Sequence, residues 1–377
     1  MEYRKFGKLD FKPSALGFGM MRLPTIGGDT TKIDEKKARE MVYYAIEHGV
    51  NYIDTAYPYH GGQSEPFAGK ILQGKWRKKV KLATKLPTWL IEKEKDFNRF
   101  LNEQLKRLKT DYIDFYLFHS LDEKKWEKIL KFNGLSWAEK IKKKGLIGHI
   151  GFSFHDKFEV FKKIIDNYPK WEFCQIQYNF LDVDFQAGRK GLKYSASKGL
   201  GVVVMEPLKG GKLAQPPEEI KKIWNSFSPK RTPVEWAFAW LLNQEEVSLV
   251  LSGMSTLSQV KENVKSASFL KPNFLKKEEL ELIAKVRKKY EILAPVDCTK
   301  CEYCLPCPQG VNIPKVFELY NNAKIFNDKK AKKKYQELED REKPKNCVKC
   351  GRCETACPQK IKIINWLEKI EDFFEKS

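Results

Sequence analysis

The sequence predicts an α/β fold in two parts: a (β/α)8 TIM barrel over residues 1–285, then a small, mainly helical module over residues 286–377. Short β-branched or aromatic runs alternate with longer amphipathic segments through the first part, and there are eight such pairs. That count and that length suit a TIM barrel. Eight of the nine cysteines fall in the last eighty residues, beyond the repeating pattern. A chain of 377 residues is also longer than one ordinary domain.

Taken in order, an opening hairpin (3–6 and 11–13 about 7–10) precedes the first repeat and is placed to plug the barrel's bottom. Strands are expected at 15–20, 52–56, 80–86, 112–119, 147–154, 173–179, 201–207 and 248–254. Helical patterns lie between them at 34–48, 95–108, 124–144 and 234–242, and Gly49 is a fitting stop for the first. A helical segment at 276–293 leads to the cysteines. The stretch between the two cysteine runs reads as helices at 313–326 and 329–339, and the tail as one more at 361–374.

In such barrels chemistry gathers where strands end. The second strand runs into Asp54-Thr-Ala-Tyr-Pro-Tyr59, the third ends on Lys85 and the fourth on His119. An ammonium paired with a carboxylate can lower a phenol's pKa, and a neighbouring imidazole can orient a carbonyl oxygen. With Gly17-Phe-Gly-Met-Met-Arg22, Ile53-Asp-Thr-Ala56, Ser64-Glu65, Thr84-Lys85 and Asp111-Tyr-Ile-Asp-Phe-Tyr-Leu-Phe-His119 in order, residues 3–270 resemble an aldo/keto reductase. The resemblance implies hydride transfer between NAD(P)H and a carbonyl compound or alcohol. Tyr59 would be the proton donor, Lys85 and Asp54 would tune it, and His119 would position the substrate.

For the nucleotide, the resemblance places Ser153 and Gln177 on the nicotinamide amide and Met205 where a tyrosine often stacks; Phe154 stands at an asparagine position. Pro207, Leu208, Gly210, Gly211 and Leu213 resemble the pyrophosphate loop, whose glycines let backbone approach closely. Gly253, Gln259, Glu262 and Asn263 fall on the adenosine segment, but Gly253 and Gln259 replace the cations that commonly hold a 2′-phosphate. Lys261 and Lys265 are the substitutes in reach along the sequence. A flavin held by the same phosphate loops is the alternative cofactor. Trp89, Phe118 and Phe154 are expected to ring the mouth, which suggests an apolar carbonyl substrate.

The cysteines stand as Cys298, Cys301, Cys304 and Cys307, then Cys347, Cys350, Cys353 and Cys357, with Pro308 and Pro358 after the last of each run. Three thiolates two residues apart can wrap three irons of one cube. The spacing resembles the bacterial two-cluster ferredoxin pattern, in which the last cysteine of each run serves the other cluster. The resemblance implies two [4Fe–4S] clusters, one on Cys298, Cys301, Cys304 and Cys357, the other on Cys347, Cys350, Cys353 and Cys307. Zinc and disulfides are the competing readings: zinc takes four ligands in total from pairs set further apart, and disulfides belong to secreted chains.

The formal charge of +21 is mostly lysine on helix-like segments that also carry glutamate, and no nucleic-acid-binding signature accompanies it. Solvated faces are the plain reading. The sharper one is that lysines near the clusters steer an acidic, ferredoxin-like electron carrier. The N-terminus lacks a signal-peptide core and no apolar run would span a bilayer, so a cytoplasmic chain without membrane contact is expected. Among the remaining candidates, His48 reads as a helix cap, Cys174 as a small core residue, and His149 carries no assignment. His60 reads as a solvent-exposed residue or one lining the mouth, and His155, at a strand end, reads first as a residue without a role and second as one touching substrate or cofactor.

Three functions follow. The chain is an aldo/keto reductase-like enzyme whose clusters exchange electrons with an outside carrier. Alternatively, it is an ordinary reductase with structural clusters, or an electron-transfer protein whose barrel holds a flavin.

Overall fold

A computed structural model describes residues 1–298 and 300–376. They form two compact units: Met1–Ala214 with Arg231–Leu280, and Gln215–Lys230 with Glu281–Ser377.

In the first unit eight parallel strands close into a barrel in sequence order: β1 (Leu16–Gly19), β2 (Tyr52–Asp54), β3 (Lys81–Leu86), β4 (Ile113–Leu121), β5 (Ile147–Phe154), β6 (Phe173–Gln177), β7 (Gly201–Met205) and β8 (Leu249–Gly253). The helices following or between them are α1 (Glu35–Glu47), α2 (Ser64–Ile71), α3 (Lys75–Lys79), α4 (Lys95–Leu108), α5 (Glu123–Lys131), α6 (Gly134–Lys143), α7 (Phe158–Asn167) and α8 (Gly188–Ser197). Of the next four, α9 (Glu218–Asn225) groups with the second unit, α10 (Pro233–Leu242) and α11 (Leu257–Ala267) with the first, and α12 (Lys277–Leu293) runs from the first into the second.

Side chains alternate across each strand. One set, Tyr52, Ala83, Phe115, Leu117, Phe173, Val203, Leu249 and Leu251, fills the barrel interior, and the other packs outward on the helices. The opening hairpin is reduced to two isolated bridges, Tyr3 with Ser14 and Phe6 with Leu9. It still plugs the bottom: Phe6 is fully buried against Tyr52, Phe115 and Phe173, with ring centroids 6.3, 5.3 and 5.7 Å away. Gly201 is required beneath it, since a Cβ there would lie 2.0 Å from the Phe6 ring. Arg4 secures the hairpin by donating to Leu242 O (3.0 Å), Gln244 O (2.7 Å) and Val247 O (2.8 Å), carbonyls at and beyond the end of α10.

The single helix expected at 124–144 is instead two, α5 and α6. Asn133 between them is left-handed (φ 56°), and a Cβ on Gly134 would come 2.9 Å from both Ile129 and Phe97. Close packing at Gly134 turns the chain there.

The second unit continues with α13 (Ile313–Phe326), α14 (Lys330–Gln336), α15 (Arg352–Ala356) and α16 (Ile363–Glu375). Val296, Val316, Phe317, Tyr335, Leu367, Ile370 and Phe374 form its core, with Tyr335 stacked on Phe374 at 4.3 Å. Six cluster-run cysteines, Cys298, Cys304, Cys307, Cys347, Cys353 and Cys357, pack against that core. Among the described residues no helix is long and apolar enough to cross a membrane.

Candidate active site and cysteine-lined cavities

The period of two along each strand points Asp54, Lys85, His119, Ser153, Gln177, Met205 and Gly253 inward at the strand ends, in continuation of the interior set. Lys85 is the centre of this end. Its Nζ donates to Asp54 Oδ1 (2.5 Å), Thr55 O (2.8 Å) and Tyr59 Oη (3.3 Å). Both Lys85 and Asp54 are 1% exposed. A second buried network holds the strand that carries the lysine: Gln104 Nε2 donates to Lys85 O (3.0 Å), and Thr84 and Gln104 both donate to Glu65 Oε1.

Burial pushes the Asp54 carboxyl up, against the pull of Lys85. Desolvation opposes charge on Lys85, but Asp54 and Tyr59 outweigh it and the ammonium is held above its ordinary value. Tyr59 departs from expectation. Lys85 does draw its pKa down, but burial is the larger effect and the net shift is upward, so the phenol keeps its proton. His119 lies with its ring centroid 6.0 Å from Tyr59 and 5.2 Å from Trp89. Burial first, then the charge of Lys85, drives His119 well below the ordinary imidazole range, so it is neutral. Its Nδ1 and the Oδ2 of Asp54 are buried with no hydrogen-bond partner among the described residues.

The nucleotide candidates divide. Ser153 Oγ accepts from Ser120 N (2.7 Å), and Gln177 and Met205 are partly buried at the ends of β6 and β7. In the glycine loop Gly210 (φ 66°) and Gly211 (φ 93°) leave bare left-handed backbone, with nothing within 4 Å of a Cβ on Gly211, a cradle that fits a phosphate. Pro207 and Leu213 are buried and Leu208 partly so. Past β8, Gln259 closes the start of α11: its Oε1 accepts from Ser255 N (2.8 Å) and its own N–H donates to Thr256 Oγ1 (3.3 Å). Asn263 is buried and donates to Ser252 Oγ (3.0 Å), while Glu262 is half-buried. Lys261 lies over the Tyr44 ring at 5.5 Å, and Lys265 is in the last turn of α11, away from the strand end.

Two aromatic assignments are corrected. Phe118 and Phe154 fall on the outward parity, where Phe118 packs on Trp171 (5.8 Å) and Phe154 on Phe161 (4.9 Å), in the layer between barrel and helices. Of the three, only Trp89 sits by His119. His60 is buried and structural: Nδ1 pairs with Thr30 O (2.8 Å) and Nε2 accepts from Leu23 N (3.2 Å). His149 stacks on Phe115 at 4.8 Å and pairs with Glu172 (2.7 Å). His48 caps α1 through Tyr44 O (2.8 Å), and Cys174 is fully buried. Glu206, Asn179 and Gln104 escaped the sequence reading, and Arg22, though it closes the motif at 17–22, received no role there. Asn179 Nδ2 donates to Glu206 O (3.1 Å), beside a left-handed Glu206 (φ 56°). No local signal announces the role of any of these four, because their partners are far along the chain.

In the second unit the cysteines surround two cavities. Cys298, Cys301, Cys304 and Cys357 line one, with Phe317 and Ile361. Cys307, Cys347, Cys350 and Cys353 line the other, of about 150 Å³, with Pro306, Ile313 and Leu367. Cys304 also reaches the second cavity. Each cavity thus draws cysteines from both runs: Cys357 joins three of the first run in one, and Cys307, with Cys304 at the edge, joins three of the second run in the other. Burial pushes the Cys304 thiol up to about 12 and Cys353 to about 11, so positive iron would be needed to hold them as thiolates. No disulfide joins any of the nine cysteines. No three of the described His, Cys, Asp or Glu side chains meet at a point suited to one metal ion. Four sulfurs around a cavity fit a larger group, a cubane.

The aldo/keto reductase family model matches residues 15–288, and the 4Fe-4S dicluster domain model matches residues 297–361. The chain is 29% identical over 307 residues to an L-galactose dehydrogenase of Arabidopsis thaliana, covering 74% of this chain and 92% of that protein. It is 25% identical over 309 residues to an NADH-specific methylglyoxal reductase of Escherichia coli, covering 68% and 91%. An aldo-keto reductase of Bacillus halodurans, solved in its holo form, superposes with a TM-score of 0.62 at 29% identity, covering 76% of this chain and 96% of that one.

Proposed function

From the premise that this oxidoreductase belongs to the aldo/keto reductase family and ends in a 4Fe–4S dicluster domain, we propose that it interconverts a small carbonyl compound and its alcohol with NAD(P)H. In this reading residues 1–285 carry the hydride chemistry, and residues 286–377 hold two [4Fe–4S] clusters that trade electrons with an external carrier. Thiolate ligands suit a reducing cytoplasm. The observation that carries the reading is the buried Lys85 ammonium, bonded at once to Asp54 and Tyr59.

A bound reduced nicotinamide supplies a hydride to the carbonyl carbon. As the hydride arrives, negative charge develops on the oxygen, and a proton must meet it. Tyr59 enters the step protonated, because burial raises its pKa. When it gives up that proton, the phenolate left behind faces the Lys85 ammonium at 3.3 Å. In this dry setting the charge pair is strong. Asp54 keeps Lys85 charged and in place. His119, neutral, is free to orient the carbonyl oxygen without donating charge. The reverse reaction returns the proton to Tyr59. Replacing Tyr59 by Phe removes the proton and leaves the ring; carbonyl turnover should fall by roughly 10²–10⁴-fold with the fold intact. Turnover at the original rate would remove Tyr59 from this role.

The two swapped sets of four cysteines support two clusters. A hydride carries two electrons, and two one-electron clusters hold the same number. A second reading has a specific observation behind it: six of the cysteines pack on the core of their unit. Clusters there would also hold the unit together. Cys301, which is exposed, separates the roles. If Cys301→Ser lowers electron uptake from a carrier, the clusters are redox groups; if the native protein takes up no electrons from a carrier and Cys301→Ser only lowers the unfolding temperature with carbonyl turnover unchanged, they are structural.

A further inference from the structure

Arg22 leaves the short turn Met20–Arg22 after β1 and crosses the bare face of Gly253 at the end of β8. A Cβ on Gly253 would stand 3.2 Å from both Cγ and Cδ of Arg22. A side chain at 253 would crowd the arginine and make it shift by a few tenths of an ångström. β8 lies between β1 and β7, so the guanidinium also reaches the glycine loop that follows β7. Its Nη2 is 3.5 Å from the position of a Cβ on Gly210. Ser255 Oγ, on the next loop, donates to Arg22 O at 2.8 Å and fixes the base of the residue. One cation therefore spans both backbone segments that the nucleotide reading assigns to phosphate groups.

Its present partner is weak. Glu206 Oε1 is 3.7 Å away, and the two side chains are 44% and 35% exposed. A pair that open to water contributes little. Two other cations in this region are engaged elsewhere. Lys209 pairs with Asp182 at 2.5 Å, with both side chains largely buried, and Lys261 lies over Tyr44. Beside Lys261 and Lys265, the substitutes expected for the cations missing at Gly253 and Gln259, stands a residue more than two hundred positions earlier that lies against both segments.

We propose that Arg22 binds a phosphate of the dinucleotide, exchanging the Glu206 carboxylate for it. The glycine at 253 is what makes room for that arm. This inference rests on the NAD(P)H reading and names a binding residue for it. An arginine offers two parallel donors to a phosphate, which a carboxylate at 3.7 Å does not engage.

The test is a direct measurement of NADH and NADPH dissociation constants on the full chain, without carbonyl substrate, for the native protein, Arg22→Gln and Glu206→Gln. Loss of a charge-assisted contact predicts binding weakened roughly ten- to hundredfold in Arg22→Gln. A loss confined to NADPH puts the contact on the 2′-phosphate; an equal loss for both puts it on the pyrophosphate. Glu206→Gln should bind more tightly than the native protein, since it removes the competing carboxylate. Unchanged affinities in Arg22→Gln, with an unchanged unfolding temperature, would overturn the proposal. Weaker binding in Glu206→Gln would overturn the exchange. A native protein that binds neither nucleotide refutes the NAD(P)H reading itself, and the inference with it.

Discussion

Lys85 shows how a single residue ties stability to chemistry. Its ammonium is buried and meets three oxygens, only one of them charged. An exposed ion pair contributes about 0–1 kcal/mol, whereas removing one partner of a buried pair costs about 3–5 kcal/mol because the other charge is stranded. Lys85 and Asp54 are in the second regime. Asp54→Asn should therefore destabilise the barrel by about 3–5 kcal/mol in urea unfolding. Adding Lys85→Met to it should recover much of the loss, because the stranded charge goes as well. A double variant no more stable than Asp54→Asn would mean that the cost lies in packing. The type and order of Asp54, Tyr59, Lys85 and His119 were legible in the sequence. Their protonation was not. Tyr59 keeps its proton because burial outweighs Lys85, and burial depends on the whole strand end.

At the scale of elements, strand parity decides what faces the site. Asp54, Lys85, His119, Ser153, Gln177 and Met205 share the inward register with the interior side chains, and that alternation could be read from sequence. Phe118 and Phe154 stand at strand ends, which points to the mouth, but their parity, equally readable, sends them to Trp171 and Phe161. The break between α5 and α6 was hidden for a different reason. Gly134 is needed there because Phe97, far earlier in the chain, packs close to it. Arg22 stands in a motif visible in the sequence, but its approach to Gly253 on β8 was hidden in the same way. In the second unit the cysteine runs cross over: Cys357 joins the first run's cavity and Cys307 joins the second's. Cys357→Ser should accordingly reduce the bound iron by about half, since four irons belong to each cube. On the proposed ligand sets, the signal of a cluster on Cys307, Cys347, Cys350 and Cys353 should persist in the electron paramagnetic resonance spectrum of the reduced protein. A native iron content would remove Cys357 from the ligand set.

For the whole molecule, the two cysteine runs and the strand-end residues announced two kinds of chemistry in one chain, and both family matches agree with that division. The grouping of residues 215–230 with the second unit was not readable, because it depends on contacts distant in sequence. The central claim is that hydride chemistry and one-electron chemistry are coupled here. An anaerobic titration of the full chain with NADH and then NADPH, followed across the visible spectrum, tests it most directly. The account predicts that reduced nucleotide bleaches the cluster absorbance, and that the carbonyl substrate's alcohol does so only when oxidised nucleotide is present. Cluster absorbance that stays constant under both nucleotides while carbonyl reduction proceeds would contradict it and leave the clusters as structural groups.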